Sequence, residues 1–496
     1  MRAGWQISAT AALAAGLLSA CAVGPDFTKP AVPGAADYSA RPLAATIAIP
    51  GIAGGEAQRF VAGRDVSADW WRLFHSKALD ALIERALRDN PDLKAAQAAL
   101  RVARENVLSQ RGVYLPSVSG GFSAQRQKQS TILAPVPNYP TVSSEFQFDL
   151  FTPQVAVSYV PDVFGLNRRT VESAEAQEQQ TRFQMIATYD TLVANVVVAA
   201  IQEAALRAQI DATRRLVRLN SDMAGILREQ YSMGYASGLD SAAQESQLAQ
   251  VEATLPPLRK ALAQQDDLLA ALTGRFPNQA SVPRLDLASL RLPRDLPVSL
   301  PSALVAQRPD VRAARANLHA ASAEIGIAIA HRLPSIELTA NAGSTALAMS
   351  QVFTSGTGFW SLGGSVTAPI FQGGQLLHQE RAAKAAYRQA AEQYRSTVLA
   401  AFQNVADTLA ALAQDARGLQ AAVKADDAAK LTLTLSQRQA RDGYASDLSL
   451  LNAEQAYQQA AINLIQAQAN RYADTAALYQ ALGGGWWNRA DLRNDD

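Results

Sequence analysis

The residue types that most often perform chemistry in proteins are sparse and scattered in this sequence. The four histidines, His75, His319, His331 and His378, have no spacing that would place two of them together as metal ligands. Cys21 is the only cysteine, which excludes an intrachain disulfide framework and a cysteine-based metal cluster. No G-x-S-x-G motif, P-loop or dinucleotide fingerprint occurs. The sequence therefore predicts a protein that is not an enzyme and that has no cofactor or metal.

Cys21 ends a segment whose pattern is typical of an export signal. Arg2 supplies a positive charge, and a mostly apolar stretch runs from Ile7 to Leu18. Leu18-Ser19-Ala20-Cys21 resembles the lipobox of bacterial lipoproteins, which implies cleavage before Cys21 and acylation of its sulfur and its new amino group. Two or more acyl chains attach a protein stably to a membrane. The next residue is alanine rather than aspartate, which favours the outer membrane. The alternative is an ordinary secretory signal with an incidental cysteine.

Charge and hydropathy exclude two further classes of protein. The 45 basic and 44 acidic residues give a net charge of +1, so no basic surface for nucleic acid is expected. After the N-terminal segment, no run of 18 apolar residues occurs that would predict a transmembrane helix.

The chain contains an internal repeat. Asn90–Ser119 aligns without gaps on Arg308–Glu337, and ten of the thirty positions are identical. A second match pairs "GYASGLDSAAQE" (Gly234–Glu245) with "GYASDLSLLNAE" (Gly443–Glu454) at an offset of 209 residues. Chance similarity between alanine-rich helices does not explain the matched prolines or the shared Gly-Tyr-Ala-Ser. Two copies of one unit of about 200 residues are therefore predicted.

Each copy is predicted to contain a helix, two strands, a long helix, a turn and a further helix. Pro91 and Pro309 lie where a helix would begin. The strands have weak alternation and many small residues, as outer-membrane strands do. Prolines bound the four strands at the predicted junctions with the helices, at Pro116, Pro161, Pro334 and Pro369.

The long helices are the strongest local signal. The stretches 166–233 and 372–442 contain no proline. Gly234 and Gly443 suit the end of each long helix, and Ser237 and Ser446 suit the start of the next one. About 70 residues at 1.5 Å each would make a helix on the order of 100 Å long. Apolar residues recur at alternating steps of three and four in the second helix, which predicts supercoiling: Phe402, Val405, Leu409, Leu412, Ala416, Leu419 and Val423.

Four strands cannot form a membrane barrel alone. The edge amides and carbonyls of an open sheet have no partners in hydrocarbon, and known bacterial barrels have at least eight strands. Several copies of the chain must therefore contribute strands to one barrel. Together with a lipid anchor and the long helices, this predicts an oligomeric tube that crosses much of the periplasm.

This layout resembles the TolC-like outer-membrane factors, in the lipoprotein branch that serves tripartite efflux pumps. The stretches that carry the resemblance are "VGPDFTKPAVP", "DWWRLFHSKALDALIERALRDNPDLKAA", "RPDVRAARANLHAASAEIGIAIAHRLPSIELT", "PIFQGGQL" and "ALGGGWW".

The resemblance implies the fold class of an α+β membrane protein. A trimeric twelve-stranded β-barrel, with four strands per protomer, would continue into a long periplasmic α-helical barrel. The implied partners are two further copies in a homotrimer, a periplasmic adaptor protein, an inner-membrane efflux transporter of the RND type and outer-membrane lipid, with no nucleic acid. The implied function is passive export of drugs or other small molecules, through a channel with an iris-like periplasmic gate.

The family also implies a ring of acidic residues just after the second tip turn. Its two positions fall on Ser449 and Asn452, neither of which is acidic. The nearby carboxylates Asp240, Asp442 and Asp447 could replace them, and Arg438 and Arg441 could form ion pairs that hold the tip closed. The alternative is that these are solvated charges at helix ends, where isolated pairs contribute little.

The expected domain limits follow the repeat. A signal peptide spans 1–20, a lipidated strap 21–68, the first repeat 69–275, a linker 276–307, the second repeat 308–482 and a C-terminal tail 483–496. The tryptophan pairs Trp70–Trp71 and Trp486–Trp487 are expected to pack in a belt rather than to bind a ligand. Other functions remain open: a lipid-anchored structural coiled-coil protein, an anchored periplasmic enzyme, or the channel of a type I protein secretion system.

Overall fold

The computed structural model describes residues 22–31, 38, 45–130, 145–279, 283–299, 301–441 and 447–493. Cys21 and three residues of the second predicted tip turn, Asp442, Gly443 and Ser446, lie outside them. The described residues form two compact units. The sheet unit comprises 22–29, 101–130, 145–179 and 315–393, and the helical unit comprises the rest.

The first half of the chain contains a short strand, two helices, two long strands, one very long helix and two shorter helices. In order they are β1 (Arg59–Ala62), α1 (Lys77–Asp89), α2 (Pro91–Arg111), β2 (Ser117–Ser130), β3 (Glu145–Tyr159), α3 (Leu166–Ser232), α4 (Gly238–Ala253) and α5 (Leu255–Leu272).

The second half repeats this order after a short strand and helix. Its elements are β4 (Asp295–Val298), α6 (Pro301–Gln307), α7 (Pro309–Ala330), β5 (Ser335–Ser344), β6 (Gly358–Thr367), α8 (Gln375–Arg441), α9 (Asp447–Ala481) and α10 (Ala490–Arg493). Both long helices, α3 and α8, contain 67 residues. The predicted order from the first helix to the long helix is therefore confirmed in both copies.

The helix that follows the long one differs between the copies. The sequence predicted one such helix per half, and α9 is indeed continuous over 35 residues. In the first half the chain instead forms α4 and α5, which are separated at Thr254. Pro256 and Pro257 cause the break, because a proline lacks the N–H that would continue the hydrogen bonding of α4 and is tolerated in the first turn of a new helix.

Helices α2 and α7 begin at the prolines that the repeat predicts. The Asn90 side chain accepts a hydrogen bond from the Leu93 N–H at 2.9 Å and so caps α2. Asp92 and Asp310 lie in the first turns of α2 and α7, where a negative charge interacts favourably with the helix dipole.

The supercoiling residues predicted in α8 do face the interior. Val405, Leu409, Leu412, Ala416 and Leu419 are buried, and the outer two of the series, Phe402 and Val423, are half-buried. The alternating three- and four-residue spacing is thus confirmed as the core face of this helix.

Aromatic rings and a small parallel sheet form the core of the helical unit. Trp70, Trp71 and Trp486 are buried, and the ring of Trp70 stacks on that of Tyr479 with centroids 5.1 Å apart. Strand β1 pairs in parallel with β4, with Arg59 opposite Asp295. Packing of the tryptophans, rather than ligand binding, is what the burial supports.

A buried arginine joins separate parts of the helical unit. Arg471 on α9 is 1% exposed and donates to three backbone carbonyls, those of Gly54 at 3.2 Å, Glu56 at 3.0 Å and Leu412 at 3.2 Å. Burial lowers the pKa of its guanidinium from the usual value. These bonds satisfy the buried guanidinium and connect α9 to α8 and to the segment that precedes β1.

Only α3 among the described helices is long and apolar enough to cross a membrane by length and composition. Its most apolar window is 67% buried inside the protein, as expected of a core helix.

Candidate functional site

The four long strands of the sheet unit form one antiparallel sheet in the order β2-β3-β5-β6. The register across it is continuous, so that Val118, Val157, Ala340 and Leu362 lie side by side on the four strands. The strands of the two repeats are therefore neighbours in one surface, with β3 and β5 meeting at the centre.

In the part of the sheet around residues 117–124 of β2, one face is mainly apolar and the other is polar, whereas the farther ends of β2 and β3 mix the two, with Arg126 on the first face and Phe148 on the second. Residues directly opposite each other share a face, and the face alternates along each strand. The face of Val118 and Leu362 also carries Val155 and Trp360. The opposite face carries small and polar residues, for example the neighbours Ser119, Ala156, Asn341 and Ser361.

The apolar face is exposed. Val118 is 69% exposed, Leu362 74% and Trp360 75%. A contiguous exposed apolar patch of this kind marks a surface that meets another protein or a membrane. An apolar-out and polar-in alternation is the pattern of strands that separate lipid from a watery interior.

Both outer strands of the sheet have one unpaired edge. Among the described residues, β2 pairs only with β3, and β6 pairs only with β5. The open edges carry backbone groups that need partners from outside this sheet wherever water is excluded.

The four predicted junction prolines lie between helices and strands. Pro116 directly precedes β2 and Pro334 directly precedes β5, while Pro161 and Pro369 lie in the segments that connect β3 to α3 and β6 to α8. Asp162 follows Pro161 and caps α3, because its two carboxylate oxygens accept the N–H groups of Asn167 at 2.9 Å and Arg168 at 2.8 Å.

The residues that follow Cys21 are bound tightly within the sheet unit. The Val23 N–H donates to the Phe164 carbonyl at 3.1 Å. Arg169 lies almost completely buried and donates to the carbonyls of Val23 and Gly24 and to Asp26, the last at 2.8 Å. We call residues 22–27, which begin the predicted segment 21–68, the strap.

Two further contacts fix the path of the strap. The Phe27 ring stacks on that of His319 at a centroid distance of 4.3 Å, and His319 Nε2 lies 2.9 Å from Glu172 Oε1. Gly24 has a φ of +95°, and a Cβ there would lie 2.5 Å from the Gly326 Cα. Only glycine fits at this close approach of two backbones.

The first tip turn ends α3 as the sequence predicted. Gly234 has a φ of +79°, and the Tyr235 N–H returns to the Gln230 carbonyl at 2.8 Å. Ser237 caps α4 and forms a capping box with Asp240, whose carboxylate accepts the Ser237 hydroxyl at 2.6 Å. Asp240, predicted as a gate residue, therefore has a local structural partner.

The second tip turn is described only at its borders. The side chains of Arg441 and Asp447 lie outside the described residues, as do Asp442 and Gly443 entirely. Ser449 and Asn452 are both exposed on α9, three residues apart and therefore on one face of the helix. Arg438 on α8 is exposed. Their role in a gate stays a prediction.

Buried polar side chains lie next to this tip. Asn220 on α3, Gln244 and Gln247 on α4, and Glu454 on α9 are each less than 5% exposed. The Gln244 amide donates to Asn220 Oδ1 at 3.2 Å, and Gln455 donates to Gln247 at 2.9 Å. We call Asn220, Gln244, Gln247 and Glu454 the polar layer.

Sequence reasoning did not single out the polar layer or Arg169. Glu454 is the last residue of the matched stretch Gly443–Glu454, where its counterpart is Glu245. Two identical residues at matched positions carry no sign that one is exposed and the other buried.

A family model described as "Outer membrane efflux protein" matches residues 82–275 and 300–484. A pyoverdine export outer membrane protein from Pseudomonas putida, OpmQ, is 31% identical over 419 residues, which cover 84% of this chain and 88% of that protein. The outer membrane protein OprJ of Pseudomonas aeruginosa is 28% identical, with 96% of this chain and 95% of that protein covered.

Solved structures of outer-membrane channels have the same fold. The channel OprN superimposes with a TM-score of 0.82 at 25% identity, over 94% of this chain and all of that one. The open state of the MtrE channel of Neisseria gonorrhoeae gives 0.78 at 26% identity, over 94% and 98% of the two chains.

Proposed function

The chain belongs to the outer membrane efflux protein family, and from this premise we propose that three copies form the exit duct of a tripartite efflux system. The protein is an efflux component of the outer membrane of a Gram-negative bacterium. Its fold is that of the outer-membrane channels, with an internal repeat, four strands and two long helices per chain.

The sheet with one apolar face and two open edges carries the proposal of a trimer. An open sheet cannot lie in hydrocarbon, and the one available here has only four strands. Joining β2 of one copy to β6 of the next closes the sheet, and three copies give twelve strands. The apolar face with Trp360 and Leu362 then meets lipid, while the polar face with Asn341 and Ser361 lines water.

The partners and cargo follow from the family rather than from this chain. We propose a periplasmic adaptor and an inner-membrane transporter of the RND type as partners, with small molecules as cargo. The names of two relatives support small-molecule cargo. OpmQ is named for pyoverdine export, and the outer membrane protein TtgC of Pseudomonas putida, which is 29% identical, is named for toluene efflux. The duct transports cargo without catalysis, and the proposed domain limits are those given by the repeat.

The trimer is tested by purifying the full-length protein in detergent and running it with and without boiling. We expect a species of three chains that dissociates on heating, and conductance steps when it is inserted into a lipid bilayer. A monomer without channel activity would overturn the proposed function.

Lipidation is proposed at Cys21. The strap begins one residue later and is bound to Phe164 and Arg169, so an acyl group on Cys21 would lie beside a fixed part of the protein. Mass spectrometry of the N-terminal peptide should find the acyl mass on Cys21. Cys21→Ser should lose that mass and the outer-membrane location, yet retain trimers and channels.

The gate is proposed at the periplasmic tip, which is closed at rest and opens when the helices around Asp240 and Asp447 separate. Ser449 and Asn452 would line the constriction, since they share an exposed face of α9. Asn452→Asp should then increase block of the pore by multivalent cations, because it adds a carboxylate from each copy. Unchanged block would contradict this position for Asn452, and Asn463→Asp, further along α9, serves as the control.

A further inference from the structure

The polar layer is an unusual feature of an otherwise apolar helix contact. Leu433 on α8 and Leu450 and Ala453 on α9 form a small buried cluster, against which Leu219 and Met223 of α3 pack. Glu454 follows Ala453 directly and is 1% exposed. A carboxyl group thus lies in the contact that holds α9 to α3 and α4 beside the tip.

Glu454 lacks the partners that a buried carboxylate needs. Neither of its oxygens accepts a hydrogen bond of ordinary geometry from the described residues. The adjacent Gln244 amide donates to Asn220, at 3.2 Å to Oδ1 and 3.4 Å to the carbonyl oxygen, and its approach to the Glu454 carboxyl does not have ordinary hydrogen-bond geometry. Burying an ionised carboxylate in this way is costly, whereas the neutral acid is tolerated.

The first repeat provides a direct contrast. Glu245 occupies the position 209 residues earlier, since 454 − 245 = 209. Its side chain is 51% exposed and forms an ion pair with Arg228 at 2.8 Å. The same residue is therefore a solvated charge in one copy and a buried group in the other.

Glu454 also has no charged neighbour that would compensate it within the described residues. Burial raises the pKa of Glu454, the Gln244 amide lowers it by a smaller amount, and no charged side chain contributes. Asp240 on α4 is half-buried in its capping box, and the half-buried Tyr457 on α9 is uncharged. The charged residues on nearby turns of the packed helices are exposed: Arg218, Asp222 and Arg228 on α3, Glu245 on α4, and Lys430 and Arg438 on α8.

We propose that Glu454 is a positioning residue of the tip gate, and that its neutral acid form holds α9 against α3 and α4 in the closed state. Ionisation of Glu454 weakens this contact and lowers the free energy needed to separate the helices. The inference rests on the proposed function, because it deepens the account of the tip as a gate.

The direction of the pH effect follows from the burial of Glu454. Burial raises its pKa from 4.5 to about 7 in the closed tip. In an open tip the carboxyl meets water and its pKa returns towards 4.5. The closed state binds the proton more tightly, so its stabilisation is complete below pH 4.5 and is lost as the pH rises through about 7.

The expected pH dependence of channel opening is large enough to measure. Between the two pKa values, the ratio of open to closed channels should rise by up to about tenfold per pH unit for each copy, and level off above the higher value. A merely structural side chain would not produce a pH profile of this form.

The test is the open probability of full-length trimers in planar lipid bilayers between pH 5 and pH 8. We expect wild-type openings to increase with pH up to about 7. Glu454→Gln, which keeps the size of the neutral acid, should remain closed and lose the pH dependence. Glu245→Gln is the matched control and should behave as wild type. A pH profile of Glu454→Gln equal to that of wild type, or an equal loss in Glu245→Gln, would overturn the inference.

A second measurement tests the inference on the wild-type protein alone, in case the Glu454→Gln variant does not assemble. In the wild-type trimer, hydrogen-exchange protection of residues 447–456, corrected for intrinsic rates, should be lower at pH 8 than at pH 5. Equal protection at both pH values would count against the inference. A wild-type protein that forms no trimers and no channels at any pH would instead refute the proposed function, so the two failures are distinguishable.

Discussion

The two repeats contain the same main elements, but their helices pack differently near the tip turns. In the first copy, Glu245 and Arg228 pair in solvent, and the return path is broken into α4 and α5. In the second copy, Glu454 is buried and α9 is continuous. The two copies thus share one framework, while the matched glutamate is solvated in the first copy and buried in the second.

The largest loss of stability is expected from a substitution that gives the second copy the residue found at the corresponding position of the first. Arg471 corresponds to Leu262, which lies 209 residues earlier and is half-buried. Arg471→Leu removes a buried guanidinium and its hydrogen bonds to the carbonyls of Gly54 and Glu56, so it should destabilise the protein by about 3 kcal/mol.

Thermal unfolding of the purified trimer, followed by circular dichroism, measures the effect of Arg471→Leu. Arg228→Leu on α3 is the control, since the Arg228 side chain is 64% exposed and its loss should change the melting temperature little. Equal losses in both variants would show that burial of Arg471 is not what makes it important.

A smaller effect is expected at the start of α4 in the first copy. Ser237→Ala removes the side-chain oxygen that accepts the Asp240 N–H at 3.2 Å, and the cost should be about 1 kcal/mol. Hydrogen exchange of residues 238–245 should become faster, with Ser221→Ala on α3 as the control. If exchange in this segment did not change, the capping box would not hold the first tip.

The smallest effect concerns the exposed pair of the first copy. A double-mutant cycle of Arg228→Ala and Glu245→Ala should give a coupling energy below about 1 kcal/mol, because both side chains are solvated and screened by salt. Melting temperatures of the four trimers at low and at high salt give this energy. A larger coupling that persists at high salt would remove the contrast between the two copies.

The sequence was sufficient for the framework of this fold. Prolines, glycines and periodic apolar residues mark the element boundaries locally, so the repeat, four strands and two long helices could be predicted. It was insufficient where the outcome depends on distant contacts. Strands β1 and β4 are four residues each and pair across more than 230 residues of chain, from Arg59 to Asp295. No local pattern reveals such a pairing.

The candidate site also has features that follow from local sequence and features that depend on distant contacts. The tip turn with Gly234 and its cap at Ser237 followed from turn chemistry, which is local. The burial of Glu454 did not, since the residue matches Glu245 in the repeat and only the packing of α3 and α4 distinguishes them. The break after Thr254 could have been predicted from Pro256 and Pro257, and the similarity of the two copies concealed it.

The strap has a consequence for the order of events during biogenesis. Its residues are synthesised early, yet their partners are Phe164 and Arg169, and then His319 and Gly326. The strap therefore meets its first partners after about 140 further residues and its last partners only after about 300. Complete binding of the strap is therefore a late step in folding, because a chain truncated before the second repeat would lack the contacts with His319 and Gly326.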